Sequence, residues 1–360
     1  MSEPQFQLRR DMKARKKSPV RLIAILATAL VLLGSVAYVN RGAVRTFFEE
    51  VTGAEYSGNG EDITEVIIKR GDEGEQIAKK LVDANVTKTY EITLRTIYAQ
   101  NPTFFPGTYK LPMKISTAKA ISYLVDPSNS ITNKITIKEG LKNTTVFKTL
   151  AEATGLPEES FLDEAKNVSQ FDLPKQAPSL EGYLFPATYD FDPSYTAKEV
   201  LQVLVTRTKE QLVEDGVAKK DWHKVLTLAS VIQREAGQAQ DFYKVSRVFT
   251  NRLNVNMPLQ SDATVSYGVK GDTVQTSAAD RANDNPYNTY RYPGLPVGPI
   301  AGAGALAIDA ALHPAEGSWL YFVTVNLETG ETIFSDTYAQ HQAAVEIWGK
   351  WLRENPDWND

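Results

Sequence analysis

Three carboxylates, Glu235, Asp262 and Glu181, stand among hydroxyl- and amide-rich stretches, and they carry most of the chemistry available to this chain. There is no cysteine, so disulfides, thiolate nucleophiles and thiolate metal sites are excluded. The three histidines, His223, His313 and His341, are too widely spaced to suggest a histidine-rich metal site. No phosphate-binding loop, dinucleotide-binding glycine pattern or nucleophile elbow occurs, so no cofactor and no metal are expected. What remains is acid–base chemistry by carboxyl groups.

Glu235 closes the segment "LTLASVIQREAGQ", residues 226–238. Seven positions separate it from Leu228, a displacement of only about 20° around a helix. Val231 and Ile232 flank it, so the carboxyl projects from the apolar stripe. Burial and the negative end of the helix both favour the protonated form. A general acid working near neutral pH needs that property. The competing reading is an ion pair with Arg247 or Arg252 that serves structure alone.

Downstream, "MPLQSDATVSYG" offers Gln260 and Asp262, and "NDNPYNTYRYPGLPVGPIAGAG" offers Asn288, Thr289 and Tyr290. Upstream, "SLEGYLFPATYDF" offers Glu181 and Tyr183. Amide, hydroxyl and phenol groups around an isolated protonated carboxyl suit sugar hydroxyl and acetamido groups. Glu181 and Asp262 each read as a loop or sugar contact, or as a second acid. Glu139, in "IKEG", reads as a solvated turn residue.

The elements that must position these groups belong to a 360-residue chain, long enough for two or three folding units. Residues 1–39 carry seven Lys/Arg against two acids, a balance of +5. The total is −5, so residues 40–360 hold −5 − 5 = −10. A body that acidic argues against sequence-independent nucleic-acid binding. Residues 22–39, "LIAILATALVLLGSVAYV", contain no charge and as a helix cover roughly 27 Å, close to a bilayer core. The basic cluster before this span places residues 1–21 in the cytoplasm and the body outside the cell membrane. A cleaved signal peptide competes, with Ser35-Val36-Ala37 as its site, but the apolar run exceeds the usual ~7–15-residue core.

Residues 40–60 read as a linker. A strand–glycine–helix pattern then occurs twice: "VIIKRGDEGEQIAKKL" (66–81) aligns with "ITIKEGLKNTTVFKTL" (135–150), pairing Gly71 with Gly140. This suggests two related βα units, against chance recurrence of a common pattern. Between them "FPGTYKLPMKISTAKAISYLV" reads as a strand and a helix capped by Ser116. Further helices are expected at 143–153, 159–166, 197–215, 219–236, 241–254, 304–311 and 338–353. "LYFVTVN" and "TIFSD" are expected to pair across a turn. The fold class is α+β: a small mixed module over 61–137, then a larger, mainly helical body over 138–360.

The chain resembles the endolytic murein transglycosylases of the YceG-like family. The resemblance rests on "LEGYLFPATY", "LASVIQREA", "VFTNRL", "MPLQSDATVSYG", "YNTYRYPGLPVGPI" and "AALHPAEGSWLYFV", in that order. It implies that Glu235 is the catalytic acid/base, and that residues 61–137 form a LysM-like module. The implied substrate is the peptidoglycan glycan strand, cut between N-acetylmuramic acid and N-acetylglucosamine, with wall-synthesis proteins as further partners. Gln233 stands where many members carry a second acid, and Ala263 where a proline is common. Two other functions stay open: a muramidase-type hydrolase on the same site, and a non-enzymatic wall-binding protein.

Overall fold

The computed structural model describes residues 53–269 and 276–356. The apolar run at 22–39 lies outside them, and among the described residues no helix is long and apolar enough to cross a membrane. The chain divides into two compact units between Ser130 and Ile131.

The first unit opens with β1 (Ile63–Ile68), which pairs antiparallel with β2 (Gly107–Pro112). Between the two strands run α1 (Gly74–Asp83) and α2 (Tyr90–Gln100), and α3 (Thr117–Leu124) follows. The two-residue β3 (Ser130–Ile131) lies where the unit ends. Val66 and Ile68 alternate inward along β1, as a half-buried strand requires, and meet Ile77, Leu81 and Leu111. Ser116 caps α3 as expected, accepting from the Lys119 N–H at 3.4 Å. The sequence did not announce α2. Its "YEITLRTIYAQ" is rich in strand-favouring residues, but Ile92, Thr93 and Ile97 share one buried face, and packing overrides propensity.

The second unit begins with β4 (Asn133–Thr136), paired antiparallel with β5 (Thr188–Phe191). Helices α4 (Asn143–Thr154), α5 (Glu158–Lys166) and α6 (Ala197–Glu214) surround that ribbon. Val200, Leu201, Leu204 and Val205 of α6 recur at helical spacing and enter a core with Phe147, Phe161 and Phe191. A second core forms where α7 (Trp222–Glu235) packs on α8 (Phe242–Asn254) and α11 (Ala305–Leu312). Leu226, Ala229 and Ile232 meet Val245, Phe249, Ala307 and Ile308 there. Two short helices, α9 (Asp262–Gly268) and α10 (Ala278–Ala282), lie between α8 and α11. The expected hairpin is β6 (Tyr321–Asn326) against β7 (Glu331–Ser335), and α12 (Tyr338–Glu354) packs on it. The fold is mixed α+β with small antiparallel sheets.

Candidate active site

Glu235 is the last residue of α7, and its carboxyl emerges beside the N-terminus of α9. Ser261 Oγ donates to Glu235 Oε1 at 2.5 Å. Burial pushes the Glu235 carboxyl above the ordinary glutamate range. The neighbouring Asp262 charge adds to that rise, while the Ser261 hydroxyl, the Ala263 N–H and the Arg252 charge oppose it. The shift favours the protonated form, yet donors for the ionised form are already in place. Neither arginine weighed as an ion-pair partner makes that bond among the described residues. Arg247 donates to the Pro314 and Ala315 carbonyls, and Arg252 to those of Leu259 and Leu320, both at 2.6 Å.

The position of α9 follows from unusual capping. Ser261 occupies the N-cap, where a serine hydroxyl normally accepts from the helix N–H groups, but here it turns to Glu235. Thr289 takes over the anchoring: its Oγ1 accepts from the Ser261 N–H at 3.1 Å and lies 2.8 Å from Thr264 Oγ1. Thr289 is therefore buried beneath the site. Asn288 is fully buried, and its amide is consumed by the loop. Its Nδ2 donates to the Arg281 and Asn283 carbonyls, and its Oδ1 accepts from the Tyr290 N–H. Gln260 is exposed, in a left-handed conformation (φ 50°), and its N–H donates to Thr289 O at 3.1 Å.

Asp262 opens α9 beside Glu235. Its Oδ1 accepts from Tyr290 Oη at 3.0 Å and from Thr276 Oγ1, and lies 4.0 Å from Arg281 Nη1. Those bonds tie the loop to the helix. The arrangement brings Glu235, Gln260, Asp262, Thr289 and Tyr290 together around the start of α9.

Glu181 and Tyr183 are placed differently. Tyr183 is fully buried in the helical core, and its hydroxyl lies 3.0 Å from His223 Nδ1. Glu181 is only 6% exposed. It accepts from the Asn143 N–H, the first of α4, at 3.1 and 3.2 Å, and its Oε2 accepts from Tyr267 Oη at 3.2 Å. Burial pushes its carboxyl up to about 7, against the pull of those donors. Glu181 borders a cleft of about 650 Å³ whose walls include Lys142, Ser179, Tyr267 and Tyr287. Tyr267 and Tyr287 pack with ring centroids 4.7 Å apart.

Sequence reasoning passed over Ser261 and Tyr267, and weighed Arg252 only as an ion-pair partner. Ser261 carried one signal, since a serine directly before a short helix is an N-cap candidate, but nothing local shows that its hydroxyl turns away. Gln233 also has a clear role: its Oε1 accepts from the N–H of Gly304, the N-cap of α11, at 3.0 Å. Glu139 is exposed, with its carboxyl lying directly over Gly304. Among the described residues no cluster of three or more histidine or acidic side chains could hold a metal ion.

Several known proteins are similar to this chain. An endolytic murein transglycosylase of Bacillus subtilis is 34% identical over 265 residues, covering 68% of this chain and 72% of that protein. One of Streptococcus pneumoniae serotype 2 is 27% identical over 274 residues, 66% of this chain but half of the pneumococcal protein. The crystal structure of a YceG-like protein of Listeria monocytogenes superposes with a TM-score of 0.52 at 28% identity, covering 79% of this chain and 99% of that one. The model of the YceG-like family matches residues 66–347, a stretch that takes in Glu181, Glu235 and the whole of α9. By that match over most of its length, the chain belongs to the YceG-like family.

Proposed function

We propose that the protein is a membrane-anchored endolytic lytic transglycosylase that cuts peptidoglycan glycan strands, with Glu235 as general acid and base. The observation that carries this reading is the Glu235 environment, in a chain whose relatives bear that activity in their names. Glu235, whose protonated form burial favours, donates to the glycosidic oxygen leaving N-acetylmuramic acid. An oxocarbenium-like centre then forms at C1. The ionised Glu235, stabilised by Ser261 Oγ, the Ala263 N–H and the Arg252 charge, takes the proton of the C6 hydroxyl of the same sugar. That hydroxyl closes on C1 and leaves a 1,6-anhydromuramic end. The nucleophile belongs to the substrate, so its effective concentration is high and no second enzyme carboxylate is needed.

In this reading residues 22–39 anchor the chain, with residues 1–21 in the cytoplasm and the body outside, facing nascent wall and wall-synthesis proteins. The first unit serves as a LysM-like glycan-holding module. Its β1–α1–α2–β2 order, two helices between two antiparallel strands, supports that role. Residues 40–60 are the linker, and the catalytic body extends over 138–360.

Digestion of purified glycan strands with the full chain and with Glu235→Gln, followed by mass spectrometry of the ends, tests the reading. Anhydro ends from the wild type, reduced about 10²–10⁴-fold in the variant, are expected. Reducing muramic ends would assign a hydrolase, with Asp262 activating water. Equal products from both proteins would remove Glu235 from the catalytic role, and no new ends from either would assign a wall-binding role.

A further inference from the structure

We propose that Glu181 is a positioning residue for the reaction: by holding Tyr267 at one end of α9, it fixes Ser261 on Glu235 at the other. The inference rests on the reading of Glu235 as the acid and extends it. Four observations carry it.

Glu181 is only 6% exposed, and both its oxygens already accept from protein groups, the Asn143 N–H and the Tyr267 hydroxyl. A direct sugar contact would have to displace one of them. Asn143 is the first residue of α4, whose N-cap residue Lys142 supplies no side-chain cap, so Glu181 is the acceptor at that helix start. The carboxyl thus joins two elements far apart in sequence, α4 and α9.

The helix α9 has seven residues, and Ser261 and Tyr267 bracket most of it, about 9 Å apart along the axis. At one end Ser261 donates to Glu235, and at the other Tyr267 donates to Glu181. The helix is so short that its two ends lie within two turns of each other, so a shift of Tyr267 is felt at Ser261. Burial pushes Glu181 up to about 7, so the site keeps an acidic group whose desolvation is costly, in return for the acceptor it offers to the Asn143 N–H and the Tyr267 hydroxyl.

The test uses the full chain in detergent with Tyr267→Phe, Glu181→Gln and the double variant. Tyr267→Phe deletes one hydroxyl and keeps the ring, so it decides the matter even if Glu181→Gln does not fold. The first readout is the titration of the Glu235 carboxyl by carbon-13 NMR, which needs no activity. The charged and titratable groups facing Glu235, namely Asp262, Arg252 and Tyr290, are untouched by either change. Loss of the Ser261 bond removes a pull toward ionisation, so the Glu235 proton affinity should rise about threefold. The second readout is turnover: kcat should fall about 10-fold with KM unchanged. The double variant should be no worse than Glu181→Gln alone. A Glu235 titration identical to wild type in a folded Tyr267→Phe protein overturns the proposal. A raised KM with unchanged kcat also overturns it, making Glu181 a substrate contact. If the wild type forms no anhydro ends, the functional reading fails, while the titration still decides the role of Glu181.

Discussion

Two corners of this molecule share a strand–glycine–helix pattern and are completed in opposite ways. At the first, β1 leads through Gly71 (φ 89°) into α1. At the second, β4 leads through Gly140 (φ 74°) into α4. The first corner closes on itself. Asp72 accepts from the Lys69 N–H and from Lys80, and α1 starts with a capping box between Glu73 and Gln76. The second is closed from far away. Its Gly140 N–H donates to Gly302 O at 2.8 Å, its Gly140 O accepts from Arg234 Nη1 at 3.2 Å, and the first N–H of α4 goes to Glu181. Arg234 is next to Glu235, so the distant partners come from the elements that build the site. A shared local pattern sets the turn, and the long-range bonds decide whether the turn takes part in function.

The comparison can be sharpened first through pH, where the largest effect is expected. Glu181 titrates at about 7 when folded against 4.5 for an ordinary glutamate. Its contribution to stability is fully present below about 4.5 and is lost as pH rises through about 7, because the unfolded chain releases the proton first. Relative to Glu181→Gln, the wild type should lose about 3 kcal/mol across that window. Urea titrations of the second unit at pH 4.5 and 8 check it, and a pH-independent difference would refute it.

Cap removal should show a smaller contrast. Glu181→Ala leaves the Asn143 N–H buried without its acceptor, at a cost of about 2 kcal/mol. Glu73→Ala at the first corner removes a partly solvated box and should cost about 0.5–1 kcal/mol. Equal losses on chemical denaturation would erase the distinction between the corners. The smallest difference in stability between the corners belongs to the glycines. Gly71→Ala and Gly140→Ala each force a side chain into the left-handed region and should each cost about 1 kcal/mol. Only Gly140→Ala should also lower turnover. Matching kinetics for the two variants would detach the second corner from the site.

Local information explains what the sequence made legible. The helical spacing that put Glu235 on the buried face of its helix depends on neighbours within two turns, as do α6, α8 and the β6–β7 hairpin. Long-range pairing was not legible: β5 was not foreseen because its partner β4 precedes two intervening helices. Asn288 and Thr289 show a second limit. Their side chains have the chemistry to bind sugars, but the loop's own buried backbone groups need partners, and these residues supply them. Tyr183 was drawn into the core for its ring, with His223 receiving its hydroxyl.

The diverted hydroxyl of Ser261 has a thermal consequence. A segment of about two turns that lends its own end-stop to a neighbour should be among the first pieces to fray on warming. Catalysis would then fade, and return on cooling, at temperatures where the rest of the body still holds its shape.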